Sequence, residues 1–379
     1  MTKSKIGTIE AIMLILTITV IHTMLSLPHD ILSSQKSASI LNLIYVGFIA
    51  ITLAYLIFKL FKKFPGLDII DISELVGGKV FKNIVGTIFI TFFIISSSML
   101  LRNFCESLKI IYYPMTDIIF IIAFFVIAVY IGNGLDFSAT LKTNLIILPV
   151  VLASIVFLFL ANMKIFEPEK IFPILGDGVY NTFVAGLVNI ASFGGIAYLY
   201  FIPPLLKEPE KFKKIAISSI GTSVIYLILS IATLLFMFSF FVTVSEITPL
   251  YTAARYIEIG SFFQRLESVF LLIWILAFAC YLSIVSKFSM SIFQKLTNIQ
   301  TKKPLNSIFS LLIFGIALFP KNYAISQFFE SKIYPWCVII IVFGLGISIL
   351  VLANLLKRKR TVNVIGKEWK KWINYLKIP

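Results

Sequence analysis

Charge is scarce in this chain. Of its 379 residues only 13% are Asp, Glu, Lys or Arg, and 2 are histidine. Soluble domains carry about 25% charged residues, so a soluble enzyme or binding module is excluded as the main class. No polar stretch is long enough for a separate soluble domain. Cysteine is nearly absent. Cys105, Cys280 and Cys337 are an odd set in or beside apolar runs, with no CxxC or Cys/His cluster. They read as small buried apolar residues, not as a disulfide frame or metal site. A Walker A loop, an HExxH, a GxSxG and a plausible acid–base pair are all missing, so the sequence predicts no enzyme, cofactor or metal. Few carboxylates fall centrally in an apolar run, so no proton relay is evident.

What remains is apolar. Hydrophobic residues make up 59% and the mean hydropathy is +0.98, which predicts an all-α polytopic membrane protein. At about 20 apolar residues per span, ten spans are expected over 7–32, 38–61, 83–108, 114–133, 142–162, 180–206, 213–242, 263–294, 305–320 and 334–356. Residues 1–356 form one transmembrane domain and 357–379 a basic cytoplasmic tail. Lys3 and Lys5 precede the first run, but no small-residue cleavage site follows, so that run is expected to stay. The larger share of the 33 Lys and Arg falls on the side of the N-terminus, which predicts both termini in the cytoplasm. The tail, with Lys357-Arg358-Lys359-Arg360, reads as a segment for anionic lipid or a partner.

Two spans are interrupted. The first carries Ile21-His22-Thr23-Met24-Leu25-Ser26-Leu27-Pro28 and the sixth Ser192-Phe193-Gly194-Gly195 followed by Pro203-Pro204. Lipid offers no partner for a free backbone N–H or C=O, so breaks at membrane depth belong beside a cavity. The two breaks lie five spans apart with opposite polarity, which predicts a five-plus-five inverted repeat with a site between its halves. A half-helix start attracts a carboxylate and a half-helix end an ammonium, so an amino acid suits such a site. The candidate ligand-binding residues are His22, Thr23, Ser97, Ser192, Phe193, Gly194, Gly195 and Tyr281. For His22 a structural role, bonded to a neighbouring carbonyl, stands beside the ligand-facing one. Ser283 and Ser286, and the ion pair expected between Arg102 and Glu106, are candidates for holding a cation or gating. Packing is the plainer role for the serines. Arg265 and Glu267 form a similar outer pair.

The residues also carry a resemblance. Ile6-Gly7-Thr8-Ile9-Glu10, Lys63-Phe64-Pro65-Gly66-Leu67, Leu75-Val76-Gly77-Gly78 and Gly134-Leu135-Asp136 occur in order. Phe172-Pro173-Ile174-Leu175, Asp177-Gly178, Ser192-Phe193-Gly194-Gly195, Arg265-Leu266-Glu267 and Ile273-Trp274 follow. In this order the chain resembles the permease-like B subunit of Ger-type spore germinant receptors, in the amino acid–polyamine–organocation transporter superfamily. The resemblance implies a LeuT-like fold with broken helices 1 and 6, in the spore inner membrane. It implies sensing of a small nutrient such as an amino acid, together with an A subunit and a lipoprotein C subunit. An active amino acid permease is the alternative. The chain has His22-Thr23-Met24 where the wider superfamily usually has glycine.

Overall fold

The computed structural model describes residues 5–238, 248–257, 266–299 and 301–356. Arg265 and the basic tail lie outside them. The described residues are helical almost throughout. α1 (Thr8–Ser26) and α2 (Pro28–Gln35) form the first arm. α3 (Ser39–Phe61), α4 (Ile69–Tyr112), α5 (Ile118–Gly134) and α6 (Phe137–Asn162) follow. A helix over Tyr180–Tyr200 opens with a π turn and is then wound tightly as 3₁₀; it is called here the broken helix. After it come α7 (Phe212–Met237), α8 (Pro249–Arg255), α9 (Leu266–Thr297) and α10 (Lys302–Leu318). The last rod, Tyr323–Leu355, alternates α turns with π turns at Phe329–Ile333 and Val338–Gly346.

Among the described residues, eight helices are long and apolar enough to cross a membrane. The expected fourth and ninth spans correspond to α5 and α10, of 17 residues each. The expected third span is the inner part of α4, whose 44 residues are split at Gly78, φ 75° and ψ −170°. Only glycine enters that region without strain. The tenth span begins earlier than expected, at Tyr323 rather than 334, because π turns carry the helix past Glu330 and Lys332.

The first interruption also moves. α1 is a regular helix through His22 and Thr23, and the bend sits at Leu27, before Pro28 at the start of α2. Proline lacks an N–H and is tolerated in the first helical turn. The Leu27 and Ile31 N–H groups still bond to the Thr23 and Leu27 carbonyls, so the backbone is bent there, not unwound. The sixth interruption stands where the glycines predict it: Phe193 leaves helical geometry at φ −102°, ψ 27°.

The first arm and the broken helix run antiparallel, as three contact points establish. At one end the Ile6 N–H bonds to the Leu205 carbonyl and the Lys207 N–H to the Ile6 carbonyl, at 2.8 and 2.9 Å. Midway Thr23 meets Ser192. At the other end Lys36 pairs with Asp177 at 2.7 Å and Asn181 bonds to the Ser34 carbonyl. Asn42 on α3 clamps the start of the broken helix, donating to the Thr182 and Gly186 carbonyls and accepting from Asn189. These bonds satisfy carbonyls that an irregular helix leaves free.

Candidate functional site

A pocket forms where α1, the broken helix, α4, α9 and the last rod meet. The space between its walls, counted together with the part open to solvent, is about 330 Å³. His22, Thr23, Ser192, Gly194, Gly195 and Tyr281, all named from the sequence, line it. Thr23 Oγ1 lies 2.7 Å from the Ser192 carbonyl and 2.8 Å from that of Thr19, so one proton serves two acceptors. Among the described residues the buried Ser192 hydroxyl has no hydrogen-bond partner. The break therefore offers both a carbonyl and a free hydroxyl at one point.

The glycines set how closely the helices approach. A Cβ on Gly194 would meet the Tyr334 hydroxyl, and Val338 Cγ2 at 3.2 Å. A Cβ on Gly195 would meet the Thr19 hydroxyl, and the Thr19 Cα at 3.1 Å. Tyr281 and Tyr334 complete the wall. The Tyr281 hydroxyl lies 2.9 Å from His22 Nδ1, and the Tyr334 ring stacks on the His22 ring at 4.3 Å.

The family model for spore germination proteins matches residues 5–325. The chain belongs to the spore germination protein family. Three Bacillus subtilis (strain 168) members are similar to it. Spore germination protein YndE is 25% identical over 328 residues, covering 84% of this chain and 88% of that protein. Spore germination protein A2 is 24% identical over 330 residues, covering 84% and 86%. Spore germination protein B2 is 22% identical over 265 residues, covering 68% and 71%. A germinant-receptor or permease-like role in germination follows from this membership.

Other candidates of this family member fall elsewhere. Ser97 bonds to the Ile94 carbonyl of its own helix, and its neighbour Ser96 faces the pocket instead. Phe193 is fully buried beside the break rather than lining it. Ser283 sits against Gly132 and Ser286 accepts from Asn133, so both face α5 rather than the pocket. Arg102 and Glu106 do pair, at 2.7 Å, and Arg102 also donates to the Ala317 carbonyl at the end of α10. That pair pins α4 to α10. A larger cavity, about 700 Å³, lies beyond the Leu27 bend between Pro28, Phe104, Trp274 and Gln327.

Glu330 is the residue that sequence reasoning missed. It is 0% exposed and sits 3.3 Å from His22 Nε2. Reading the tenth span as starting at 334 placed it in a loop. Its spacing was a usable signal: four residues before Tyr334, it shares that residue's helix face.

Proposed function

We propose that this chain is the nutrient-sensing, permease-like subunit of a spore germinant receptor. It sits in the spore inner membrane through ten spans, in a five-plus-five inverted repeat with both termini cytoplasmic. An amino acid, or a nutrient of similar size and charge, binds between α1 and the broken helix. His22, Thr23, Ser192, Gly194, Gly195 and Tyr281 contact it. The observation that carries this reading is the break itself: a Ser192 hydroxyl without a partner among the described residues and an accepting Ser192 carbonyl, beside glycines, at the wall of a pocket. Backbone groups freed at a helix break supply complementary ends for a zwitterion.

Signalling then needs only differential affinity. A ligand that prefers one arrangement of α1 against the broken helix shifts the population towards it. Partner subunits, an A type and a lipoprotein C type, read the shift. The test is genetic. Deleting the gene from its spore former abolishes germination to at least one nutrient. Gly194→Leu, which pushes into Tyr334 and Val338, abolishes the same response while the protein remains in the membrane. A deletion strain that germinates normally on every nutrient removes the reading.

One observation favours a second reading, an active amino acid permease. Glu330 supplies the buried carboxylate that coupled transporters often use as a proton relay.

A further inference from the structure

The His22–Glu330 contact has an electrostatic constraint that the nutrient reading does not use. Glu330 lies in a π turn of the last rod, and such turns are frequent at functional sites. It is fully buried, and among the described residues neither its carboxyl oxygens nor His22 Nε2 has a hydrogen-bond partner. Among the described residues, His22 is the one basic side chain within ion-pair distance. The titratable groups packed around the pair are otherwise neutral: Tyr281 on α9, Tyr334 and Cys337 on the last rod, and Tyr198 on the broken helix. From α4 the pocket receives Phe92, Phe93 and Ser96, which do not titrate.

A bare carboxylate in such surroundings is very costly unless paired. While the pocket is closed the pair therefore keeps a proton, carried on Nε2 as imidazolium beside the carboxylate. His22 is one wall of the pocket, so this proton is one side chain away from any solute that enters. Tyr281, against Nδ1, holds the ring in place for the exchange.

We propose that the His22–Glu330 pair is a proton-binding site at the pocket wall, holding one exchangeable proton. In the exchange the Nε2–H bond of the imidazolium breaks and its electron pair stays on nitrogen. The proton passes to water when the pocket opens, and that water hydrates the Glu330 carboxylate left behind. The inference stands on the pair's geometry and not on the identity of the nutrient.

The chain has 2 histidines, which makes the test direct. The full chain, with His29→Gln and ¹⁵N-histidine, is placed in lipid nanodiscs, and the His22 ring is followed by NMR from about pH 5 to about pH 9. The ring is expected to change protonation within that range. Glu330→Gln, nearly isosteric, is expected to move the pH at which the ring changes protonation. Glu330→Asp, which keeps the carboxyl, is expected to stay closer to the unmodified pair. A His22 ring in one protonation state throughout overturns the proposal. So does a titration that Glu330→Gln leaves in place, because the carboxyl is then no part of the site. Size-exclusion chromatography confirms that each variant is folded. No nutrient is added, so a chain that binds no amino acid still gives a decisive result.

Discussion

At the scale of single residues, Gly194 and Gly195 look alike in sequence but bear on different neighbours. A methyl group on Gly194 meets the tip of the Tyr334 side chain, which can turn. A methyl group on Gly195 meets the Thr19 Cα at 3.1 Å, and that backbone cannot turn aside. α1 and the broken helix would have to separate, stretching the Thr23–Ser192 bond. Gly195→Ala should thus destabilise the purified protein by about 1–3 kcal/mol, and Gly194→Ala by less. Thermal unfolding in detergent measures both, and equal losses would contradict the difference in neighbours. The site was legible from sequence to the extent that it consists of absences. Missing side chains at 194 and 195 announce a close approach, and polar His22 and Thr23 stand out in an apolar run. Glu330 was not legible because a window that seeks apolar runs discards the turn carrying it. Ser97 was chosen over Ser96 because helical phase within a run of three serines is fixed by packing alone.

At the scale of elements, the start of α4 and the end of α9 are joined by charge. Lys295 lies 2.7 Å from Asp68 and 2.6 Å from Asp71. Asp68 also caps α4, accepting from the Ile70 and Asp71 N–H groups at 3.0 Å. Burial, and then the charge of Asp71 beside it, raise the Asp68 carboxyl from 3.8 to about 6, against the opposing pull of Lys295. The folded chain thus takes up this proton at a higher pH than the unfolded chain. The contribution of Asp68 to stability is greatest below about pH 4, falls as pH rises through about 6, and is constant above that. Asn caps a helix as well as Asp and carries no charge. Asp68→Asn should therefore lose this slope, and its stability relative to the unmodified chain should rise between about pH 4 and about pH 7, by on the order of 3 kcal/mol. Unfolding curves at the two pH values check it; a difference that does not change with pH argues against the shift. Elements were legible where apolar length decides, as in α3, α6 and α9. The interruption read over Ile21–Pro28 narrows to a bend at Leu27 before Pro28, because the polar side chains at its start were taken as a sign of broken backbone. Thr23 shows why that fails: it bonds back to the Thr19 carbonyl and stays helical.

At the scale of the whole molecule, closure of the pocket separates a sensor from a transporter. At one end the N-terminal segment is zipped to the exit of the broken helix through Ile6, Leu205 and Lys207. At the other, Arg102–Glu106 holds α4 against α10, and Gln327 stands within 3.5 Å of both Asn103 and Asp30. The antiparallel run of the first arm against the broken helix was foreseeable from the Lys and Arg distribution, and the Arg102–Glu106 pair from its i,i+4 spacing; the contacts of Ile6 with Leu205 and Lys207, of Arg102 with Ala317 and of Gln327 with Asn103 and Asp30 were not, since they join residues far apart in the chain. A transporter must open the two ends in turn and release its solute on the far side. A sensor needs one rearrangement that its partners can read. The end at Ile6 is closed by backbone hydrogen bonds, each worth about 1 kcal/mol, together with the buried side chains of Ile6 and Leu206. Opening there has to undo both at once. The chain alone, in proteoliposomes with an inward proton gradient, is therefore expected to accumulate no radiolabelled amino acid above protein-free vesicles. Accumulation that collapses with the gradient and is lost in Glu330→Gln would instead establish the permease reading. Accumulation that survives Glu330→Gln would make it a permease whose coupling does not run through that carboxyl.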